Sequence, residues 1–358
     1  MEQVLVYPYS KEYEMVIKSR KSAEANLTRV VSPRGWGLSG GILDNSGERV
    51  EIEHDFEDAL KVCTMVWFVE DGLLRLPIEL LLETLLLTVR NKKKIYYTRY
   101  KNAEEREMVE KLLPPRLNAE NDYETEVNFT VPGGEYHTLY EFKTPVINVI
   151  GLSENADKYK MQLLLKEEFT KLGYKVSVVS SRRDSGIFGM HSMPGFMWGG
   201  SISVTDKILQ FNHYIKAIEK AEGPELIILG IPGGAFPRNE YRHQYFGEFH
   251  FEISRAVSCD CALLCSSFSE YPVSYFEEAE QRIRQMYDME VGFHTISDKM
   301  YDCRDKVTAD GTGTYLSVES GMVSDSIREW KKAKENLYDT ASEDETKRLV
   351  DDIINRLS

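Results

Sequence analysis

The stretch INVIGLSENADKYKMQLLLKEEFTKLGYKVSVVSS, residues 147–181, decides the fold. An apolar strand ends in Gly151, a short polar loop follows, and Lys158 opens an amphipathic helix. Gly173 stops that helix before a second β-branched run, Tyr174 to Ser180. Strand, helix and strand at these lengths make a βαβ unit, the building block of a parallel sheet covered by helices.

The loop has the layout of a phosphate-binding P-loop. In such a loop backbone N–H groups and a helix N-terminus point at the phosphates, a lysine adds charge, and a hydroxyl on the next residue holds magnesium. Against G-x-x-x-x-G-K-[ST] the match is degenerate. One residue too many follows Gly151, Asp157 stands at the second glycine, and Tyr159 and Lys160 stand where Ser or Thr is wanted. A carboxylate in the anion nest and a missing metal hydroxyl both disfavour Mg-nucleotide. Gly151, Ser153, Asp157, Lys158 and Lys160 are the candidate anion-binding residues, and no catalytic residue is identified. The loop alone does not separate an anion site from a plain strand-to-helix turn.

Downstream, ELIILGI at 225–231 reads as a strand in the place of the magnesium-supporting one, yet Gly230 stands where Asp or Glu would help. Pro232, Gly233 and Gly234 follow it and join the candidate set. Between the two strands, SSRRDSGIFGMHSMPGFMWGG at 180–200 places Arg182, Arg183, Asp184 and His191 in a glycine-rich loop at the carboxyl end of the sheet. Open α/β proteins bind ligands there. Either a ligand-facing loop or a plain surface loop fits.

Working outward, Val4 to Tyr7, Leu27 to Val31, Thr64 to Val69 and Lys94 to Tyr97 are short strand-like runs, most of them separated by helical patterns. They predict a Rossmann-like parallel sheet at residues 1–125. Residues 126–144, acidic and containing Pro132-Gly133-Gly134, read as a linker, and 145–358 as the degenerate P-loop-type α/β domain with a charged helical tail. Cys261 to Ser267 reads as a further buried strand, with helices near Thr205 to Ala221 and Gly247 to Val257. A chain of 358 residues is long enough for two such cores. Ile78 to Val89 is apolar almost all round, so several of Leu80, Leu81, Leu82, Leu85, Leu86 and Leu87 need a second apolar surface beyond their own sheet. Another domain or another copy of the chain would supply it, which makes a homodimer an expectation.

With 44 Lys and Arg against 58 Asp and Glu, the net charge of −14 disfavours nucleic acid, whose phosphates must be met by cations. No apolar run reaches membrane-spanning length and the start lacks a signal-peptide pattern, so no membrane is expected and a cytoplasmic setting is. Five cysteines with no export signal predict reduced thiols. Cys259, Cys261 and Cys265 fall in an apolar run and read as core rather than metal ligands. His243 and His250, with Glu248 and Glu252, lack helical ligand spacing and read as a solvated helix start; no metal site is assigned. Arg34, in Pro33 to Gly41, could sit with backbone amides beside an anionic or peptide ligand, or in a plain long connection.

The loop and the LIILGIPGG run behind it resemble P-loop proteins of the class containing dethiobiotin synthetase and the nitrogenase iron protein. The whole chain resembles a family of bacterial peptide maturation system proteins. That likeness is carried by VLVYPYSKEYE at Val4 to Glu14, VVSPRGWGLSGG at Val30 to Gly41, SSRRDSGIFGMHSMPGF and LGIPGGAFPRN. The resemblance implies partners: a Cys-rich, bacteriocin-like precursor peptide, a radical-SAM maturase or an acyl-carrier-related protein. The expectation is an accessory binding protein of ribosomal peptide maturation that does not hydrolyse nucleotide. The alternative is an NTP-dependent ligase or NTPase whose loop holds phosphate in a non-standard way through Lys158 and Lys160. The cofactor is left unassigned, with nucleotide possible.

Overall fold

The computed structural model describes residues 2–19, 23–45, 48–70, 75–99, 103–112, 137–182, 184–200, 202–238, 243–272, 274–302 and 315–358. Arg183 and Pro132-Gly133-Gly134 lie outside them. The chain separates into two compact units, Met1–Thr125 with Asp184–His191, and Glu126–Arg183 with Ser192–Ser358.

The first unit holds a six-stranded sheet in the order β3-β4-β2-β1-β5-β6. Its strands are β1 Gln3–Tyr7, β2 Asn26–Val31, β3 Ile42–Asn45, β4 Glu48–Glu53, β5 Met65–Phe68 and β6 Lys94–Tyr97. The pairs β1 with β2, β1 with β5, β2 with β4, and β5 with β6 are parallel, and β3 is an antiparallel edge. The sheet is Rossmann-like because the chain winds out on one side of β1 and then on the other. The hairpin β3–β4 is unforeseen. Its residues follow a glycine-rich loop and carry alternating acids (ERVEIE), which reads poorly as a strand until one face is seen buried: Leu43 and Ile52 are 5% exposed.

After α1 Glu14–Lys18, the helices α2 Phe56–Val62 and α3 Ile78–Arg90 cover one face of this sheet and share a core with Leu5, Tyr7, Val66 and Phe68. Leu81 and Leu85 of α3 are fully buried, Leu80, Leu82 and Leu87 half-buried, and Leu86 is 36% exposed. The segment Asp184–His191 completes the unit. Ile187 and Phe188 are fully buried, and Tyr13 Oη donates to Asp184 Oδ2 at 2.6 Å.

The second unit is built on β7 Val146–Gly151, β8 Val176–Val179, β9 Leu226–Gly230, β10 Cys261–Phe268, β11 Val291–Tyr301, β12 Tyr315–Ser317 and β13 Leu337–Tyr338. Their order is β12-β11-β10-β7-β9-β8, with β13 also on β11. β7 to β11 are mutually parallel; β12 is antiparallel. Because β8 and β9 lie to one side of β7, and β10 and β11 to the other, β7 sits at the point where the strand order reverses. Open α/β sheets bind ligands outside the carboxyl end of the strands at such a point.

Helix α5 Lys158–Lys171 packs on β7, β8 and β9, while α6 Val204–Glu222 and α7 Glu248–Ala256 join the core on Ile150, Leu229 and Leu264. The helices α8 Ser274–Tyr287, α9 Ser320–Lys331 and α10 Glu343–Leu357 follow; α4 Ala103–Leu112 belongs to the first unit. Among the described residues no helix is long and apolar enough to cross a membrane.

The α3 surface yields a prediction. Leu85→Asp places a charge in a closed core and is expected to abolish the cooperative melt of the first unit, since truncating such a leucine alone costs about 2–5 kcal/mol. Leu86→Asp is expected to change stability by less than roughly 1 kcal/mol, unless a second copy of the chain covers that face. Light scattering beside thermal melts separates these cases: a Leu86→Asp variant that halves the mass while staying folded marks a subunit contact.

Candidate functional site

The crevice at the β7 carboxyl end is assembled from β7, β9 and β10. Leu152 N donates to Cys265 O at 3.0 Å and Ala235 N to Gly151 O at 2.8 Å, so the loop after β7 is tied to β10 and the turn after β9 to the end of β7. Lys158, only 5% exposed, runs back along the loop. Its Nζ donates to Gly233 O, with Ser153 O at 3.5 Å. Burial pushes the ammonium down to about 8.

Each glycine here has a steric reason. A Cβ on Gly151 would lie 2.6 Å from Ser153 O and 2.9 Å from Lys158 Cδ. Gly233 adopts φ +71°, which turns its carbonyl toward the lysine, and a Cβ on Gly234 would lie 2.9 Å from Leu152 O. Pro232 is buried beside them.

Asp157 stands where the motif wants glycine, and its backbone does what glycine would: φ is +58° and ψ +24° at the helix N-cap. Aspartate is among the few side-chain-bearing residues that visit this left-handed region. Its side chain accepts no capping hydrogen bond, and burial raises its pKa, with Lys160 and Lys299 opposing. Tyr159, in place of the metal-binding hydroxyl, lies under the Arg182 guanidinium at 5.3 Å from ring centroid to Cζ.

Gly230, where an acid would support magnesium, is paired in register with Val149. A Cβ there would lie 2.3 Å from the Gln162 carboxamide. Gln162 is fully buried and bridges three groups: Nε2 donates to Lys158 O at 3.1 Å and Ser181 Oγ at 3.0 Å, and Oε1 accepts from Ser181 N at 3.1 Å. Sequence reasoning missed this residue. The signal was available, since Gln162 is a polar residue four positions after Lys158 on a helix face that is otherwise Met161, Leu165 and Phe169.

Ser153 is 3% exposed with its Oγ 3.4 Å from that of Ser267, and the neighbouring Ser266 hydroxyl is fully buried with no hydrogen-bond partner among the described residues. Lys160 is half-buried in the first turn of α5. The structure therefore brings together Gly151, Ser153, Asp157, Lys158, Lys160, Arg182, Pro232, Gly233 and Gly234. Asp184 and His191 belong to the first unit, where Asp184 is buried on Tyr13. Arg34 also belongs there, lining a hollow of about 390 Å³ with His54 and four carboxylates, Asp55, Glu57, Asp58 and Glu83, which disfavour an anion.

Of the expected solvated helix start at 243–252, His243 and Glu248 are exposed, but His250 and Glu252 correct it. His250 and Glu252 are fully buried on the inner face of α7 with Phe249 and Ile253, and burial holds the His250 pKa well below its ordinary value. The alternation of polar and aromatic residues hid a helical face. Cys261 and Cys265 are buried core thiols, pushed up to about 12, and Cys259 is half-buried. Among the described residues no group of three His, Cys, Asp or Glu side chains is placed to hold a metal ion.

No protein-family model matches the chain, and no curated protein sequence matches it significantly. Among solved structures it is similar to a DUF1611 family protein from Anabaena variabilis ATCC 29413, at a TM-score of 0.64 and 10% identity over 99% of this chain and 100% of that one. At that identity the likeness shows the fold: α/β, with parallel sheets in both units. An SsGBP–GDP complex aligns over 99% of this chain and 98% of its own at 13% identity and a TM-score of 0.37. A nucleotide-binding protein in complex with ADP from Archaeoglobus fulgidus aligns over 52% and 77% at 15% identity and a TM-score of 0.27. Those two scores are too low to carry an argument about this chain.

The buried lysine makes stability depend on pH. Its folded-state pKa of about 8 lies below the ordinary 10.5, so between those values the unfolded chain binds the extra proton and stability rises with pH. Below pH 8 the desolvation penalty is complete. Relative to Lys158→Met, the wild type is expected to gain on the order of 3 kcal/mol from pH 8 to 10.5. Urea unfolding of both proteins across that range is the check, and parallel curves would show that the ammonium is solvated.

A second expectation concerns packing. Gly230→Ala forces the Gln162 carboxamide off its three partners and is expected to cost about 1–3 kcal/mol, with the double variant Gly230→Ala, Gln162→Ala recovering part of it.

Proposed function

We propose that this protein is an accessory binding protein of ribosomal peptide maturation, and that its second unit holds a small phosphoanion without magnesium-assisted hydrolysis. The observation that supports the anion reading is the buried Lys158 ammonium, held by backbone carbonyls at the reversal point of a parallel sheet, beside the N-terminus of a 14-residue helix. Desolvated cations held by neutral oxygens are poised for a stronger, charged acceptor. The left-handed Asp157 retains the loop frame while Tyr159 and Gly230 withhold metal support.

The maturation setting rests on the signature stretches at Val4 to Glu14 and Val30 to Gly41 and on their two counterparts in the second half. The precursor peptide, the maturase and the acyl-carrier-related protein are the proposed partners.

Thermal shift and calorimetry with ATP and pyrophosphate, with and without magnesium, test the anion reading. The expected result is stabilisation independent of magnesium, of about 2.7 kcal/mol at a hundredfold excess over Kd, and lost in Lys158→Ala. Asp157→Gly with Tyr159→Thr is expected to increase the affinity. Magnesium-dependent binding with turnover would instead favour a ligase or NTPase, and no binding by any variant would refute the anion site. Pull-down from the native host tests the partners.

A further inference from the structure

Immediately before α7 the backbone does something rare for L-residues. Gln244, Tyr245 and Phe246 have φ of 49°, 59° and 53°, and Gly247 follows at 76°, four successive residues in the left-handed region. Three of them carry a Cβ, which crowds the following carbonyl oxygen in this conformation. Little burial offsets the crowding: Tyr245 is 47% and Phe246 64% exposed. The turn is held by the His243 ring stacked on Phe246 at 4.5 Å, by Phe246 N donating to His243 O at 2.7 Å, and by the Tyr245 ring against Phe249.

What the turn achieves is the placement of one side chain. Gln244 Oε1 accepts from Glu154 N, in the middle of the β7–α5 loop, at 3.0 Å. The same carboxamide lies so close over Gly234 that a Cβ there would be 2.1 Å from Oε1. A neutral carbonyl oxygen thus takes a loop amide of the type that would donate to an anion, while Lys158 Nζ is taken by Gly233 O.

We propose that Gln244 is a built-in occupant of the anion site, and that the left-handed turn His243–Gly247 leaves the loop when a phosphoanion binds. The proposal rests on the anion reading of this loop. A ligand must displace the carboxamide, so the affinity of the wild type is reduced by the fraction of molecules in which the turn has already moved. Relief of the left-handed backbone favours the exchange once a charged oxygen is available to replace the neutral one.

The test uses the full chain and inorganic pyrophosphate in calorimetry. Gln244→Ala removes the occupant and is expected to bind about tenfold more tightly than the wild type. Gln244→Glu keeps the length, adds a charge that competes for the same amide, and is expected to bind more weakly. Hydrogen exchange at the Glu154 amide, without ligand, is expected to speed up in Gln244→Ala and to stay slow in Gln244→Glu. If the wild type binds pyrophosphate and neither variant differs from it, the occupant is refuted while the anion site stands. If no form binds, the anion reading fails and takes this proposal with it. Should Gln244→Ala not fold, Gln244→Glu against the wild type decides: unchanged affinity overturns the proposal.

Discussion

A lysine ammonium removed from water must be met by oxygen, and in this protein that requirement shapes the mouth of the second sheet. Lys158 reaches Gly233 O because the chain after β9 turns through a left-handed glycine. It lies flat along its own loop because Gly151 offers no Cβ to block its methylenes. Main-chain hydrogen bonds then tie the loop after β7 to β10 and the turn after β9 to Gly151. Of the IPGG run, Gly233 answers the buried lysine through its carbonyl, while Gly234 leaves room for the Gln244 carboxamide and Leu152 O.

The loss of metal support is set in the packing as well as in the sequence. An acid at position 230 has no room, because the Gln162 carboxamide occupies the place of its Cβ and is itself tied to Ser181 and to the first turn of α5. Restoring the acid requires a change at Gln162, which in turn frees the Ser181 amide. Positions 230 and 162 are therefore coupled, and Tyr159, in place of the metal-binding hydroxyl, is a separate departure from a magnesium-supporting frame.

The parallel strands were legible because strands buried on both faces must be continuous apolar runs, as VINVIG, ELIILGI and CALLCSS are. β11 was not, because its inner positions include His294, which reads as polar but is buried with its Nε2 on Glu280 at 2.6 Å. The lysine, the glycines and the missing acid could be read from spacing. The backbone of Asp157 could not: a carboxylate at a glycine position reads as an obstacle, whereas the deciding property was its tolerance of positive φ. Gln244 was invisible for a different reason. Ninety residues separate it from Glu154, and nothing local marks a side chain that acts on a distant amide. Asp184 was legible as polar in a glycine-rich loop, but its bond to Tyr13 depends on a chain path that no local pattern reports.

That chain path has a consequence for how the molecule is made. The first unit includes Asp184–His191, which emerges after two strands and a helix of the second. On a ribosome the first unit is therefore complete only once this segment, with the buried Ile187 and Phe188, has been made, although its sheet strands were finished at Tyr97. Domains ordinarily fold in order of synthesis. Here the earlier one includes a segment born inside its successor, so expressing residues 1–125 apart from the rest would leave the first unit without Asp184, the buried acceptor of the Tyr13 hydroxyl.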